Sequence, residues 1–304
     1  MYDLIILGGG PAGLTAGLYA TRSKLKTLLI EKMYLGGQIV NTYQLENYPG
    51  FEEISGPDLI SRMEAQTKKY GLEIINEDVL GLDIKGDIKK VNTNNKTYEA
   101  KAIILTMGAT PKRLGIESES KFIGSGISFC ATCDGAFYKD ATVAVIGGGN
   151  TAVEDAVYLT KFAKKVYIIH RRNELRATKT EQDKAFANDK IEFIWDTVVT
   201  DIEGEYGVEG LKLKNVKTGE ENSLKVDGVF VAIGYSPNTE IVKGIIDMDE
   251  YGYIVTDDDM QTNIPGVFAA GDIRHKTLRQ VVTATGDGAI AAYVAEKYID
   301  NLKK

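Results

Sequence analysis

The chain has 304 residues, of which 43% are hydrophobic and 26% are charged, and its formal net charge is -7. These values are typical of a globular protein and exclude a largely disordered chain. The acidic balance also argues against nucleic-acid binding, which usually needs a basic surface, and no segment approaches the roughly 18 uninterrupted apolar residues of a membrane-spanning helix.

The chain begins with an apolar run at residues 4–7, followed by a glycine-rich turn and a second apolar run at residues 27–30. Runs that are apolar on both faces are typical of parallel strands covered by helices. We therefore predict a strand, a helix and a second strand. No basic region precedes the first run, so we expect no export signal and a location in the reducing cytoplasm.

The turn between these two strands matches the dinucleotide-binding pattern Gly-x-Gly-x-x-Gly, with Gly8, Gly10 and Gly13. Glycines at these positions let the backbone approach a pyrophosphate, which the N-terminus of the following helix holds. Glu31 ends the second strand, where a carboxylate accepts hydrogen bonds from ribose hydroxyl groups and repels a 2′-phosphate. This half is predicted to bind FAD or NAD.

The chain contains two cysteines, Cys130 and Cys133, in the spacing Cys-x-x-Cys. A zinc site needs four ligands, and a structural disulfide that closes so short a loop adds little stability and is rare in a reducing compartment. We therefore predict a reversible dithiol and disulfide pair. Asp134 follows directly, and is either a turn residue in Asp-Gly or a proton donor and acceptor for the thiols.

A second copy of the strand, turn, helix and strand pattern begins at residues 143–146 and ends with the apolar run at residues 166–169. Its turn again matches the dinucleotide-binding pattern, with Gly147, Gly149 and Ala152. Because two matches occur, each between a predicted strand and a predicted helix, the pattern favours two nucleotide sites over two structural turns.

The second copy differs from the first at the end of its second strand, where His170 takes the place of a carboxylate. Arg171, Arg172 and Arg176 follow, and guanidinium groups bind phosphate through charge-assisted hydrogen bonds. This half is predicted to bind NADP(H); the alternative is a solvated basic edge. His170 either stacks on the adenine or packs locally.

Further segments extend the repeat. In each half a strand runs into Gly-x-x-Pro, beginning at Gly108 and at Gly234, so each half is predicted to be a whole nucleotide-binding domain. Polar, turn-rich stretches at 83–99 and 201–225 are predicted to be small antiparallel additions, and the strand-to-turn segment at 264–272 has no counterpart in the repeat. The predicted fold class is α/β, with two Rossmann-like domains built on doubly wound parallel sheets.

Together these motifs resemble the low-molecular-weight thioredoxin reductases, which are NADPH-dependent, FAD-containing members of the pyridine nucleotide-disulfide oxidoreductase family. The resemblance runs through essentially the whole chain. It is carried by the motifs at residues 8–13, 36–38, 46–50, 130–134, 147–152, 170–172, 269–272 and 279–281. Among these, Cys-Ala-Thr-Cys-Asp at 130–134 distinguishes the chain from ferredoxin-NADP reductases of similar architecture, which lack the cysteine pair.

The resemblance implies that the second domain is inserted into the first. Residues 1–113 and 244–304 would form a discontinuous FAD-binding domain, and residues 114–243 an NADPH-binding domain that carries the cysteine pair. The residues expected to bind FAD, from the motifs and the resemblance together, are Gly8, Gly10, Pro11, Ala12, Gly13, Glu31, Lys32, Gly36, Gly37, Gln38, Asn47, Gly108, Gly271, Asp272, Arg279, Gln280 and Val281. Those expected to bind NADPH are Gly147, Gly149, Asn150, Thr151, Ala152, His170, Arg171, Arg172, Arg176 and Gly234.

The resemblance also implies the roles of the catalytic residues. Cys133 would face the flavin, Cys130 would attack thioredoxin, and Asp134 would be the acid and base. The expected activity is transfer of reducing equivalents from NADPH through FAD and the disulfide to thioredoxin, in a homodimer and without a metal. The alternatives are a related flavoprotein disulfide reductase that serves another small redox carrier, and a nucleotide-binding redox sensor.

Overall fold

The computed structural model describes residues 1–42 and 45–302. The chain divides into two compact units, residues 1–110 with 236–304, and residues 111–235. The boundaries implied by the resemblance, after residues 113 and 243, lie three and eight residues further along the chain than those of the structure. No helix within the described residues is long and apolar enough to cross a membrane.

The elements follow one another in the order of the repeat. The first unit begins with β1 (Tyr2–Leu7), α1 (Pro11–Arg22), β2 (Thr27–Glu31), α2 (Gly56–Lys69), β3 (Glu73–Asn76), β4 (Val79–Asp83), β5 (Lys89–Thr93), β6 (Thr97–Leu105) and β7 (Ala109–Pro111). The second unit contains α3 (Glu119–Phe122), β8 (Ile127–Ser128), α4 (Ala131–Asp134), β9 (Thr142–Ile146), α5 (Asn150–Leu159), β10 (Lys165–Ile169), α6 (Lys179–Phe186), β11 (Ile191–Ile194), β12 (Thr197–Glu203), β13 (Gly210–Asn215), β14 (Glu221–Lys225) and β15 (Gly228–Val231). The chain then forms β16 (Tyr235–Pro237), β17 (Val267–Ala269) and α7 (Val281–Asn301), and short 3₁₀ helices lie at Gly37–Asn41, Gly135–Tyr138 and Glu240–Val242.

The first unit is built on a seven-stranded sheet in the order β3-β2-β1-β6-β5-β4, with β17 also paired to β6. Strands β3, β2, β1, β6 and β17 run parallel, whereas β4 and β5 are antiparallel additions. The segment at 264–272, which has no counterpart in the repeat, therefore supplies a strand of this sheet. The predicted parallel architecture is confirmed.

Both faces of this sheet are covered, which explains why residues 4–7 of β1 are all apolar. Leu4 and Ile6 face one buried cluster, which includes residues of α1 and α7. Ile5 and Leu7 face the other cluster. Burying each such side chain stabilises the fold by about 1.5–3 kcal/mol, and a one-residue shift in register would exchange the two faces.

The second unit repeats the arrangement with a five-stranded sheet in the order β11-β10-β9-β15-β8. All of its described pairings are parallel. A separate antiparallel sheet, β12-β13-β14, occupies residues 197–225, where the sequence predicted an antiparallel addition. The two units are therefore versions of one nucleotide-binding fold, as the repeat predicted.

The two segments that connect the units run side by side, because β7 and β16 pair as a two-stranded ribbon. Within the first unit, the N–H of Asn238 donates to the carbonyl of Gly108 at 3.0 Å. Within the second unit, the N–H of Lys112 donates to the carbonyl of Gly234 at 2.9 Å. The two Gly-x-x-Pro motifs thus lie at the start of these connections.

Candidate functional site

The first glycine-rich turn, between β1 and α1, lies against the residue that follows β6. Gly8 has a φ of +106°, and a Cβ at this position would lie 2.5 Å from the carbonyl oxygen of Thr106. A Cβ on Gly13 would overlap the carbonyl oxygen of Gly8. The hydroxyl of Thr106 is 2.8 Å from the carbonyl oxygens of both Leu7 and Gly8. Glycine is therefore required here by close packing of the backbone.

The helices that follow the two turns have open N-termini. Helix α1 begins after Gly10 and α5 begins after Gly149, and in the described part of the chain no side chain caps either end. The amides of a first helical turn have no partner within the helix, and the helix dipole adds partial positive charge there. Both ends therefore suit the pyrophosphate of a dinucleotide.

At the end of β2, the carboxylate of Glu31 lies beside the first turn. Its Oε2 atom accepts the N–H of Gly9 at 2.7 Å, and its Oε1 atom accepts the N–H of Met33 at 3.1 Å. Each oxygen has a further lone pair with which to accept a ribose hydroxyl. Lys32, in contrast, forms an exposed ion pair with Asp78 at 3.0 Å.

A second glycine pair, at residues 36 and 37, approaches the same turn. The N–H of Gly36 donates to the carbonyl of Gly9 at 2.8 Å. Gly36 has a φ of +113°, and a Cβ there would meet the side chains of Val40 and Ile60. The site of a Cβ on Gly37 lies 3.9 Å from the Cα of Gly10. The exposed Gln38 follows in the short 3₁₀ helix, so the structure brings this motif beside the dinucleotide pattern.

The carboxyl-terminal part of the chain also reaches the first turn, at Ala12. Gly271 has a φ of +80°, and a Cβ on it would lie 2.9 Å from the Cβ of Ala12. A Cβ on Gly288, in α7, would overlap the carbonyl oxygen of Ala12. Two glycines that are distant in sequence therefore allow β17 and α7 to pack closely on the start of α1.

The side chain of Asp272 has an oxygen atom whose surroundings point to a ligand. Its Oδ1 atom is buried and has no hydrogen-bond partner within residues 1–42 and 45–302. Burial raises the pKa of this carboxyl, although Lys276 and Arg279 act in the opposite direction. Because an unpaired buried oxygen is costly, a hydroxyl group of a bound molecule would satisfy it. Asp272 is among the residues expected to bind FAD from the motifs and the resemblance, and its unpaired oxygen is consistent with that expectation.

The residues that precede α7 are held in place by side chains from other parts of the first unit. The guanidinium of Arg279 lies over the ring of Tyr253, 4.0 Å from its centroid. The Nε atom of Arg279 is buried, with no hydrogen-bond partner among the described residues. Gln280 accepts a hydrogen bond from Asn47 at 3.1 Å, and Val281 is the first residue of α7. The structure thus joins the predicted site residues at 279–281 to Asn47.

The second glycine-rich turn repeats the first with one difference in packing. Gly147 has a φ of +155°, and a Cβ there would overlap the carbonyl oxygen of Ala232. The methyl group of Ala152 occupies the third position of the pattern, 2.7 Å from the site of that Cβ. Asn150 and Thr151 form the exposed first turn of α5.

His170, at the end of β10, packs against the second turn. A Cβ on Gly148 would overlap the imidazole ring, so the ring lies directly on the turn. Burial lowers the pKa of His170, and the charges of the nearby arginines lower it further. Its Nε2 atom is buried without a hydrogen-bond partner in the described ranges. The ring therefore packs locally on the turn, and its contact with the adenine of NADPH stays a prediction.

The arginine-containing loop, residues 171–178, is fastened to the second turn by its backbone. The N–H of Arg176 donates to the carbonyl of Gly148 at 2.7 Å, and the N–H of Thr178 donates to Oδ1 of Asn150 at 2.7 Å. The three arginine side chains of the loop are exposed, and their charges act on His170. Within the described part of the chain none of them forms an ion pair, so they are available to an anionic ligand.

Cys130 and Cys133 form a disulfide, with their Cα atoms 5.3 Å apart. Both are half-buried; Cys130 is the N-cap of the short helix α4, and Cys133 lies within that helix. Ala131, between them, packs in a buried cluster with Ala152 and Ala156 of α5. The disulfide therefore lies in the same unit as the second turn and is anchored to the helix that begins at that turn.

Asp134 is the last residue of α4 and is half-buried. Burial raises the pKa of Asp134 and outweighs a hydrogen bond with Ser128, which lowers it. Burial also raises the pKa of Tyr138 to about 12, and the charge of Asp134 adds to this effect. A carboxyl with a raised pKa beside a dithiol is suited to proton transfer.

Ser128 is a site residue that the sequence did not indicate. Its hydroxyl accepts the N–H of Cys130 at 3.0 Å and also contacts Asp134. It therefore links the disulfide to the acidic residue. A lone serine two positions before a cysteine has no distinguishing pattern, so only the three-dimensional arrangement reveals it.

Comparisons with known proteins agree with this geometry. The family model for pyridine nucleotide-disulphide oxidoreductases matches residues 2–288. A thioredoxin reductase of Peptoclostridium litorale is 52% identical over 309 residues, covering 99% of this chain and 98% of that protein. A thioredoxin reductase of Listeria monocytogenes is 48% identical over 305 residues, covering 100% and 96% of the two chains.

A solved structure shows the same similarity in three dimensions. The crystal structure of a thioredoxin reductase from Streptococcus pyogenes superimposes with a TM-score of 0.95 at 48% sequence identity, covering 99% of each chain. The resemblance predicted from the motifs is thereby confirmed. The chain belongs to the pyridine nucleotide-disulphide oxidoreductase family, among its low-molecular-weight thioredoxin reductases.

Proposed function

We propose that this enzyme transfers reducing equivalents from NADPH, by way of FAD and the Cys130–Cys133 disulfide, to oxidised thioredoxin. The observation that carries the proposal is the disulfide itself. It joins the two cysteines of the chain and lies beside an aspartate whose pKa is raised by burial. It also shares a unit with a nucleotide-type turn flanked by three arginines. The end-to-end similarity to thioredoxin reductases supports the same conclusion.

We assign FAD to the first unit. The open N-terminus of α1 would hold the pyrophosphate, and Glu31 would hold the adenosine ribose. Asp272 would satisfy its buried oxygen on the ribityl side, with the segment at 279–281 beside the flavin ring. Bound FAD would accept hydride from NADPH and donate two electrons to the disulfide.

NADPH is assigned to the second unit, where the open N-terminus of α5 would hold its pyrophosphate. Arg171, Arg172 and Arg176 would bind the 2′-phosphate, because a doubly charged phosphate pairs well with guanidinium groups and these three form no ion pair within residues 1–42 and 45–302. Fastening of this loop to Gly148 and Asn150 lowers the entropy that the loop would otherwise lose on binding.

The chemistry of the cysteine pair follows from thiol–disulfide exchange. In the reduced enzyme, the Cys130 thiolate attacks the thioredoxin disulfide, forming a mixed disulfide and releasing one thioredoxin thiolate. The Cys133 thiolate then attacks the Cys130 sulfur, which restores the intrachain disulfide and releases the second thiolate. Two electrons and two protons pass to thioredoxin in this sequence. Asp134 carries protons between the thiols and the surrounding water.

A homodimer in the cytoplasm is part of the same proposal. A groove of about 340 Å³ lies among α1, α2 and α7 in the first unit. Tyr19 and Val282 line it, and both are exposed, as is Tyr293 further along α7. An exposed apolar surface of this kind suits a second copy of the chain. Light scattering coupled to size-exclusion chromatography would measure the mass, and a monomer at micromolar concentration would contradict this part.

The central test is NADPH oxidation with and without thioredoxin, in the wild type and in Cys130→Ser. We expect rapid turnover only with the wild type and thioredoxin, together with NADPH-dependent bleaching of bound flavin in both proteins. Bleaching without thioredoxin-dependent turnover would favour another redox carrier. Neither bleaching nor turnover would favour a nucleotide-binding sensor.

A further inference from the structure

Asp287 is a buried carboxylate on α7 that none of the motifs predicted. It lies about two turns into the helix, and its side chain is 11% exposed. Its Oδ2 atom accepts the backbone N–H of Gly271 at 3.0 Å and is 2.7 Å from Nζ of Lys276. The guanidinium of Arg274 approaches both of its oxygens, at 3.4 and 3.5 Å. One side chain thus holds three donors from the segment at 271–276.

The charged side chains of this cluster are largely buried as well as paired with one another. The side chains of Lys276 and Arg274 are 8% and 12% exposed. Arg274 is itself fixed by a hydrogen bond from its Nε atom to the hydroxyl of Thr256 at 2.8 Å. Removing one member of such a buried group leaves the others with uncompensated charge. The oxygens of Asp287 are engaged by the chain itself, which suits this residue to hold the backbone and the side chains around it.

The cluster holds in place the backbone directly before Asp272. Gly271 is held by Asp287 on one side and packs on Ala12 on the other. The next residue presents the buried Oδ1 atom that has no hydrogen-bond partner in the described part of the chain. Since the Gly271 amide is adjacent to Asp272, loss of the hydrogen bond to Asp287 would release the backbone that orients this carboxylate.

We propose that Asp287 is a positioning residue for FAD, which anchors Gly271 and thereby directs the Asp272 carboxylate toward the ribityl side of the cofactor. The inference rests on the proposed function, because it assigns FAD to the first unit. Lys276 and Arg274 complete the anchor. A purely structural role would predict that loss of Asp287 weakens folding but leaves the affinity of the folded protein for FAD unchanged.

The test compares Asp287→Asn with Asp300→Asn, which makes the same change at an exposed position near the other end of α7. Flavin is removed from each purified protein, folding is checked by circular dichroism, and the Kd for FAD is measured by quenching of flavin fluorescence. For D287N we expect at least a tenfold rise in Kd and a shift of the absorption bands of the flavin that remains bound. For D300N we expect values within twofold of the wild type.

Binding of 2′,5′-ADP, in the same samples, shows whether the second unit has remained folded, while the circular dichroism spectrum reports on the whole chain. We expect its Kd to remain within twofold of the wild type in D287N. An unchanged Kd for FAD in a folded D287N protein would overturn the positioning role and leave the proposed function intact. A wild-type protein that binds no FAD would overturn both.

If D287N does not fold, Asp287→Glu is the second variant. It keeps the charge that pairs with Lys276 and Arg274 but displaces the oxygen that accepts the Gly271 amide, so we expect a rise of at least threefold in the Kd for FAD. An affinity equal to that of the wild type in folded D287E would overturn the proposal, because the contact with Gly271 would then have no effect on the cofactor.

Discussion

The two glycine-rich turns share one backbone pattern and differ in the side chain beside it. At the first turn, Glu31 accepts the Gly9 amide at 2.7 Å. At the second, the ring of His170 covers Gly148, and the arginine-containing loop is fastened to the same residue. Under the proposed assignment, the repeated backbone would hold a pyrophosphate in both units, and the residues at the end of the second strand would select the adenosine.

The largest expected effect comes from the third position of the pattern, which is Gly13 in one turn and Ala152 in the other. In Gly13→Ala the new methyl group overlaps the Gly8 carbonyl oxygen, so the free energy of unfolding should fall by about 3 kcal/mol and bound FAD should be lost. Urea denaturation and flavin absorbance measure both. The matched variant Ala152→Gly should lose only about 0.5–1 kcal/mol; equal effects would show that the turns pack alike.

The next largest effect concerns the arginines, which have no counterpart in the first turn. In the double variant Arg171→Gln and Arg172→Gln, the Kd for NADPH should rise about 100-fold, since a hydrogen bond to a charged group contributes about 1.5–3 kcal/mol. The Kd for NADH should change less than threefold. Isothermal titration calorimetry measures both constants, with Arg22→Gln on α1 as the control. A parallel loss of NADH binding would assign these arginines to the pyrophosphate or to folding.

A third difference is that only the second unit carries the cysteine pair, with Asp134 as its proposed acid and base. Asp134→Asn should lower thioredoxin-dependent turnover about 100-fold while leaving the bleaching of flavin by NADPH unchanged. Stopped-flow absorbance separates the two steps. The exposed Asp140→Asn in the same unit is the control. Unchanged turnover in D134N would show that Asp134 is a turn residue and not the acid and base.

A smaller effect is expected at Glu31, whose carboxylate distinguishes the first turn from the second. Glu31→Gln keeps the size of the side chain but loses its charge, so the Kd for FAD should rise about fivefold, equivalent to about 1 kcal/mol. Flavin fluorescence provides the measurement, and Glu52→Gln, at an exposed position, is the control. An unchanged affinity would mean that the Glu31 carboxylate holds the turn through Gly9 and does not bind the ribose of FAD.

The smallest effect concerns the helices after the two turns, because α5 contains Glu154 and Asp155 whereas α1 has no acidic residue. Burial, and then the charge of Glu154, raise the pKa of Asp155 to about 7. A raised folded-state pKa adds stability at low pH that is lost as pH rises through about 7. Asp155→Asn should therefore gain stability relative to the wild type between pH 5 and pH 8. Urea denaturation at both pH values tests the sign, and a constant difference would contradict it.

The sequence could predict the repeated fold because its signals are local. The apolar runs and the glycines of each turn lie within about 25 residues of one another in each half, and strand, turn and helix preferences act over that range. The cysteine pair was found for the same reason. The chemical type of the residues at the end of the second strand could also be predicted, since Glu31 and the arginines follow their turns at a fixed sequence spacing.

Other parts of the site could not be predicted, because they depend on contacts between distant segments. Gly36 donates a hydrogen bond to Gly9, and Gly288 packs on Ala12. The members of each pair are too far apart in sequence to belong to one local motif. Asp287 has the same character, since its partners are 11–16 positions earlier in the chain. The orientation of His170 could not be predicted for a related reason. The packing of its ring against the turn depends on the loop that follows His170.

The paired connecting strands have a consequence for how such a chain can be assembled. Gly108 and Asn238 are hydrogen-bonded neighbours, and so are Lys112 and Gly234. The points at which the chain leaves and re-enters each unit therefore lie next to each other. A short peptide link between residues 110 and 236 could make the first unit one continuous chain, whereas the second unit, residues 111–235, is already continuous. The second unit could therefore be removed, or exchanged for a homologous domain, without a long linker.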